Sequence, residues 1–234
     1  MLVDEDVLID AGTGVADLTL TEMERIDHVF VTHSHLDHIA ALPLIVDTVG
    51  PMRKKPVNVH CTQATMAILR DHIFNWKIWP DFAVIPTRAN PYLVWDPIEV
   101  GVPVQLGSRR FTALPANHVV PAVGYWLDSG AASLVFTGDT TTNDALWGAV
   151  NGIENLRFLI IETAFPNTER ELAVESKHLC PSLLKEELQK LKRPARIFVT
   201  HLKPGAGTQT MAEVEEDLAQ YNPRMLANGQ VFRF

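Results

Sequence analysis

Three imidazoles and one carboxylate fall within six residues, His33-Ser34-His35-Leu36-Asp37-His38, directly after the apolar stretch that runs from His28 to Val31. Neutral imidazole nitrogen and carboxylate oxygen are the donors that zinc, manganese or iron(II) accept. Placed in one turn at the end of a strand-like run, they read as a metal-binding edge. Three further segments have the same form. The run Phe111 to Asn117 leads to His118, the run Ser133 to Gly138 leads to Asp139, and the run Arg196 to Thr200 leads to His201. A lone His or Asp after a strand is usually a cap or a turn residue. Several apolar runs that each end on a ligand-type residue describe strand ends converging on one edge, where sites assemble.

With these residues in this order the chain resembles the metallo-β-lactamase superfamily. The H-x-H-x-D-H run, His118, the Gly138-Asp139 step and His201 carry the resemblance. Leu42-Pro43-Leu44, the stretch Ile73 to Phe82, the stretch Glu162 to Pro166 and Lys177-His178-Leu179 narrow it toward the class II cyclic-nucleotide phosphodiesterases, within a branch similar to tRNase Z. The resemblance implies an α/β fold of four layers, an αβ/βα sandwich of two mixed sheets flanked by helices, formed by residues 1–234 as one domain.

The resemblance also implies two divalent metal ions, zinc foremost, with manganese or iron as alternatives. His33, His35 and His118 would hold the first ion; Asp37, His38 and His201 the second; and Asp139 would bridge them. Asp37, Glu162 and His178 are the implied catalytic residues. Two ions about 3.5–4 Å apart can deprotonate a shared water and neutralise a phosphate between them. The implied reaction is hydrolysis of a 3′,5′-cyclic nucleotide, cAMP or cGMP, to the 5′-monophosphate by a metal-bridging hydroxide. The departing alkoxide needs a proton. His178 is the candidate donor, with the Glu162 carboxylate behind it to fix its tautomer. Asn75, Trp76, Trp79 and Phe82 form an aromatic cluster that is either core or interface packing or a stacking wall for a purine base, and Asn117 and Thr140 to Thr142 are candidates for positioning phosphate or orienting ligands. Processing of RNA or tRNA 3′ ends and hydrolysis of thioesters or lactones share the ligand set, as would a non-catalytic nucleotide sensor.

Composition bounds these readings. The formal net charge of −8 argues against tight sequence-independent binding to nucleic-acid polymers. It leaves a small anionic substrate open, because bound cations dominate the local field. Cys61 and Cys180 are too few for a disulfide framework and read as buried thiols. Acidic Asp4, Glu5 and Asp6 do not fit a secretory signal, and no run approaches the roughly 20 apolar residues of a membrane helix, so a cytoplasmic location is expected.

The elements that must position these residues follow from pattern. Strands are expected at Val7–Ile9, Val29–Val31, Val57–His60, Val102–Leu106, Arg110–Leu114, Val123–Leu127, Ser133–Phe136, Leu156–Ile161, Ile197–Thr200 and Gln230–Phe232. Helices are expected at Leu42–Val49, Gln63–Phe74, Asp144–Val150, Pro181–Leu191 and Met211–Gln220. Two halves should meet between Val94 and Ser108. Pro80, Pro86, Pro91 and Pro97 mark a long irregular segment, a candidate lid or substrate wall. His28, alternating with Phe30, is expected on the outer face of its strand, and His60 is a candidate for the layer behind the ligands. Met1 lies so close to Val7–Ile9 that either the start is truncated or an edge strand is missing; a missing edge would expose backbone groups that a partner chain, as in a homodimer, could cover.

Overall fold

The computed structural model describes residues 1–234. They form two compact units, Met1–Glu99 and Val100–Phe234, divided inside the window that the sequence marks.

In the first unit β-branched residues alternate along short strands. The elements are β1 (Leu2–Val3), β2 (Val7–Ile9), α1 (Leu20–Arg25), β3 (His28–Phe30), α2 (Leu36–Ile39), α3 (Leu42–Val49), β4 (Val57–Thr62), α4 (Gln63–His72), the hairpin strands β5 (Pro86–Thr87) and β6 (Asn90–Pro91), and β7 (Leu93–Ile98). The sheet order is β1-β2-β3-β4-β7, parallel except for the antiparallel β1–β2 pair. Val29, Val57, Val59, Cys61 and Leu93 pack with Ile45, Val46 and Val49 of α3 and Met66 and Leu69 of α4. Each such fully buried aliphatic side chain contributes about 1.5–3 kcal/mol. Because β2 and β3 run parallel, their C-terminal ends lie side by side and deliver Asp10 and His33 to one edge.

The second unit contains β8 (Pro103–Leu106), β9 (Arg109–Pro115), β10 (Val123–Asp128), β11 (Ser133–Phe136), α5 (Asp144–Val150), β12 (Leu156–Glu162), α6 (Arg170–Glu175), α7 (Pro181–Leu188), β13 (Arg196–Thr200), α8 (Gly207–Asp217) and β14 (Arg224–Met225). Its sheet order is β14-β13-β12-β11-β10-β9-β8. The strands from β11 to β14 are parallel and those from β11 to β8 antiparallel. Strands β9, β11, β12 and β13 therefore point the same way. Their C-terminal ends lead to His118, Asp139, Glu162 and His201. One sheet face carries Leu159, Ile161, Ile197 and Val199 into a core with Leu146, Trp147, Leu183, Leu184 and Val214 of the helices. Asn143 caps α5, accepting from Leu146 N at 3.3 Å, as its position before Asp144 suggests.

Several expectations are corrected. An edge strand is present: β1 pairs Leu2 with Leu8 and Val3 with Val7. The proline-marked segment is not irregular to its end, because Leu93–Ile98 is a strand paired only with β4. Pro97 is tolerated there since an edge strand has one side without ladder bonds. Gln230–Phe232 forms no strand. Phe232 instead packs edge-on against Phe158 and Phe198, with centroids 5.1 and 4.8 Å away, so its apolar character reflects ring packing. Helix α4 ends at His72, α7 at Leu188, and α8 runs from Gly207 to Asp217. Both cysteines are free and buried, as expected. No helix is long and apolar enough to cross a membrane.

Candidate metal centre

In the first unit the ligand-type residues are organised by a carboxylate outside the H-x-H-x-D-H run. Asp10, at the end of β2, accepts from Thr32 N at 2.7 Å and from Thr32 Oγ1 at 2.8 Å, and its Oδ2 lies 2.7 Å from Nδ1 of His38. The Thr32 hydroxyl proton is thus spent on Asp10. Its lone pair takes the Nδ1–H of His33 at 3.0 Å. Both imidazoles are fixed as Nδ1–H tautomers, which leaves each Nε2 as the lone-pair nitrogen. A metal-binding histidine needs this arrangement. His33 Nε2 lies 3.1 Å from Nδ1 of His35, and His38 Nε2 lies 3.8 Å from Oδ2 of Asp37. Two nitrogens bound to one tetrahedral zinc at about 2.05 Å would sit about 3.3 Å apart, close to the His33–His35 separation. His33 is fully buried and Asp37 exposed.

Backbone contacts hold this turn in place. Ala11 N donates to His38 O at 2.7 Å and Ala41 N to Ala11 O at 2.8 Å. Gly12 lies so close that a Cβ built on it would stand 1.6 Å from the carbonyl oxygen of Asp37. Asp10 itself has φ +57°, a left-handed conformation that Asp tolerates better than most residues.

The second unit carries its own set. His201 Nε2 lies 3.2 Å from Asp139 Oδ2, again near the spacing of two ligands on one ion. The ligand atoms of Asp139, His178 and His201 lie within 4.8 Å of one another. Nδ1 of His118 donates to Lys177 O at 3.1 Å, and Lys177 Nζ donates back to His118 O at 3.2 Å, which orients the ring and exposes its Nε2 lone pair. Gly138 (φ +60°) and His201 (φ +63°) are both left-handed, so each ligand turns sharply off its strand. Burial lowers the pKa of His201 against the raising influence of Asp139, which favours the neutral, ligating imidazole.

Glu162 is completely buried behind these residues. Its Oε1 accepts from His178 Nδ1 at 2.7 Å and Thr140 N at 3.1 Å, and its Oε2 accepts from Leu179 N at 3.2 Å. Burial, and then the Asp139 carboxylate, push its pKa up to about 8, opposed by His201 and the two backbone donors. All three donors point at the carboxylate, and a cation on Asp139 would remove the second cause of the rise. The His178 ring stacks on His201 at 5.0 Å and meets His118 edge-on at 4.9 Å. The donors in both units, neutral imidazole nitrogen and carboxylate oxygen with each ring oriented from behind, fit divalent ions.

The expected substrate residues divide. Asn117 and Thr140 join the loops that bear His118 and Asp139: Asn117 N donates to Thr140 Oγ1 at 3.0 Å and Asn117 Nδ2 to Thr142 O at 2.9 Å. The aromatic stretch is not one wall. Phe82 is buried in the first unit's core and Trp79 packs against that core, whereas Trp76 is exposed. Asn75 accepts from Lys77 N and Ile78 N at 3.0 and 2.8 Å, so its amide shapes its own turn. His28 is half-buried on the sheet face opposite the Val29 and Val59 core, where its Nδ1 lies 2.9 Å from Nε2 of His60, whose Nδ1 lies 2.9 Å from Asp96 Oδ2. His60 therefore supports no ligand. Asp10, Thr32 and Lys177 are the positioning residues that motif reading missed. Asp10 carried a usable signal, since it too ends an apolar run.

Comparison with known proteins bears on the whole arrangement. A family model described as the beta-lactamase superfamily domain matches residues 5–202. A probable 3′,5′-cyclic-nucleotide phosphodiesterase of Yersinia pestis is 26% identical over 207 residues, covering 77% of this chain and 58% of that protein. Endoribonuclease ysh-1 of Neurospora crassa is 26% identical over 155 residues, covering 57% of this chain and 17% of that one. Among solved structures, unliganded yeast PDE1 superimposes with a TM-score of 0.78 at 19% identity, over 89% of this chain and 68% of that one. This chain thus spans little more than half the length of the first of these relatives. The family match extends from before Asp10 to just past His201, and the chain is a member of the β-lactamase superfamily with the metallo-β-lactamase fold.

Proposed function

We propose that residues 1–234 work as one domain, a dinuclear-metal phosphodiesterase that hydrolyses 3′,5′-cyclic nucleotides to 5′-monophosphates. The observation that carries this reading is the buried Glu162–His178 pair, 2.7 Å apart and beside Asp139 and His201. Thioester or lactone hydrolysis has no need of a second proton donor there, whereas a departing alkoxide does. The Yersinia pestis relative, named a probable cyclic-nucleotide phosphodiesterase, supports the substrate class.

In this reading His33, His35 and His118 would hold one ion, Asp37, His38 and His201 would hold the other, and Asp139 would serve both. When bound, the ions supply an activated water and neutralise the phosphate oxygens. Zinc is proposed first because all the nitrogen donors are imidazoles; manganese and iron(II) accept the same set. Asp10 orients His38 directly and His33 through Thr32, and Lys177 orients His118. Glu162 holds His178 with one proton on Nδ1; the ring takes a second proton on Nε2 from solvent, and that imidazolium gives it to the leaving oxygen and returns to the neutral Nδ1–H form. The two free thiols suit a reducing cytoplasm.

A second reading, hydrolysis of RNA, has the similarity to the endoribonuclease in its favour. The net charge of −8 weighs against it. Metal analysis of the purified protein, with turnover of cAMP, cGMP, 2′,3′-cyclic nucleotides and a tRNA precursor, separates the two. About two ions per chain and preferred cleavage of a 3′,5′-cyclic nucleotide are expected. Cleavage of the tRNA precursor without cyclic-nucleotide turnover would reverse the ranking, and Asp139→Ala retaining both metals and full rate would remove the bridging role.

A further inference from the structure

At the N-terminal ends of β13 and β14, away from the ligand-bearing strand ends, the second unit has a cavity of about 170 Å³. It is lined by Arg196 and Phe198 of β13, by Tyr221 and Asn222 of the turn after α8, and by Arg224 of β14. No carboxylate lines it, and neither arginine is ion-paired. Other arginines of the chain are neutralised by carboxylates, Arg25 by Glu5, Arg53 by Asp27 and Arg110 by Asp128, so these two keep their charge available to an anion. Arg196 is held by aromatic faces instead. Its guanidinium carbon lies 5.4 Å from the Phe158 centroid and 5.8 Å from that of Phe198. Cation–π contacts position the group without neutralising it.

The surrounding charge has the same sign. The run Gln189 to Arg196 contains Lys190, Lys192, Arg193 and Arg196 and no acidic residue. Lys190 is engaged by Asp144 and Glu187, and Arg193 Nε by Asn151 O, which leaves Arg196 as the member of the run that lines the cavity. Arg157 is exposed beside Phe158, the residue that pairs with Arg196 across the sheet. Two guanidinium forks in a concave, carboxylate-free site suit the tetrahedral oxygens of phosphate. The volume is below the roughly 300–1,000 Å³ of pockets that enclose a drug-sized ligand, so the cavity suits an anionic group and not a whole nucleoside. From Arg196 to Thr200 the strand spans about 13 Å at 3.3 Å per residue, which separates the cavity from His201.

We propose that Arg196 and Arg224 form a phosphate-binding site distinct from the metal-ligand residues, one that takes inorganic phosphate or the phosphate group of a phosphomonoester. The readout must be local, because phosphate could also bind metal ions. Phenylglyoxal modification of the metal-loaded protein, followed by peptide mass spectrometry at constant ionic strength, measures each arginine separately. Inorganic phosphate is expected to slow modification of Arg196 and Arg224 saturably, by about fivefold or more once the site is filled. Exposed Arg88, in the other unit, should react at an unchanged rate. In Arg224→Gln, a substitution at an exposed side chain, protection of Arg196 should disappear while cyclic-nucleotide turnover stays as it was. Protection by 5′-AMP as well as by phosphate would identify a phosphomonoester site, and protection by phosphate alone a site for the free anion. Equal slowing of Arg88, slowing without saturation, or undiminished protection of Arg196 in Arg224→Gln would each overturn the proposal.

Discussion

Oδ2 of Asp10 stands 2.7 Å from Nδ1 of His38, and the same carboxylate reaches His33 through the Thr32 hydroxyl. One carboxylate thus sets the tautomer of two expected ligands. Asp10→Asn keeps the size of the side chain and suits the left-handed backbone, since Asn is at home at positive φ. It replaces a charged acceptor by a neutral amide. Zinc affinity, measured by competition with a chromogenic chelator, should fall about 10–100-fold, with the far-ultraviolet circular dichroism unchanged. Unaltered affinity would show that Asp10 organises the loop and not the ligands.

Gly12 supplies a steric test of the same loop. A Cβ there would stand 1.6 Å from Asp37 O, a backbone atom that cannot swing aside. Gly12→Ala should either displace the His35–His38 turn or prevent accumulation of folded protein. The measurement is thermal unfolding with and without zinc: a lower midpoint and a smaller zinc-induced rise are expected. Gly14→Ala is the control, because a Cβ at Gly14 meets nothing within 4 Å. Equal behaviour of the two variants would remove the argument.

Much of the ligand set was legible because it obeys a local rule, an apolar run followed by a ligand-type residue. His33, His118, Asp139 and His201 all follow strands, and the strands appear within a residue or two of where alternation puts them. The layer behind them was less legible. Asp10 ends an apolar run like the ligands, but its partners lie 22 and 28 positions away and that of Lys177 lies 59 positions away, so no local pattern reports what either side chain holds. The Trp76–Phe82 stretch was ambiguous for the opposite reason. Its composition suggests one aromatic surface, but the turn built on Asn75 sends Trp76 outward while Phe82 enters the core. Strand β7 was hidden by Pro97, which only an edge position excuses.

His60 predicts an acid sensitivity that has nothing to do with metals. Burial, together with neighbouring His28, lowers its pKa from 6.5 to about 4, against the raising influence of Asp96. Above about pH 6.5 both folded and unfolded chains carry it neutral. As the pH falls from there toward 4, the unfolded chain takes up a proton at this position that the folded chain refuses. Stability is lost over that window, by no more than about 3 kcal/mol from this group. Urea unfolding of wild type and His60→Gln at pH 7.5 and pH 4.5 gives the comparison. The variant should lose less stability between the two pH values, whatever its stability at pH 7.5. Equal losses would assign the acid sensitivity to other groups.

The role of His178 is decided by leaving groups. Its Nδ1 is tied to Glu162 at 2.7 Å and its ring is only slightly exposed, so the imidazole is held in one orientation beside Asp139 and His201. If it protonates the departing alkoxide, His178→Ala should lower kcat on a cyclic nucleotide by about 10²–10⁴-fold, the usual worth of general acid catalysis. Bound metal, measured on the same preparation, should stay near the wild-type level. On a nitrophenyl phosphodiester the loss should shrink toward unity, because nitrophenolate departs without a proton. Glu162→Gln should show a smaller loss in the same pattern, since it orients and polarises the ring without touching substrate. Equal losses on both substrates would mean that His178 binds phosphate. Loss of metal from His178→Ala would mean that the grouping of Asp139, His178 and His201 is itself a ligand set, and that the proton reaches the leaving oxygen from elsewhere.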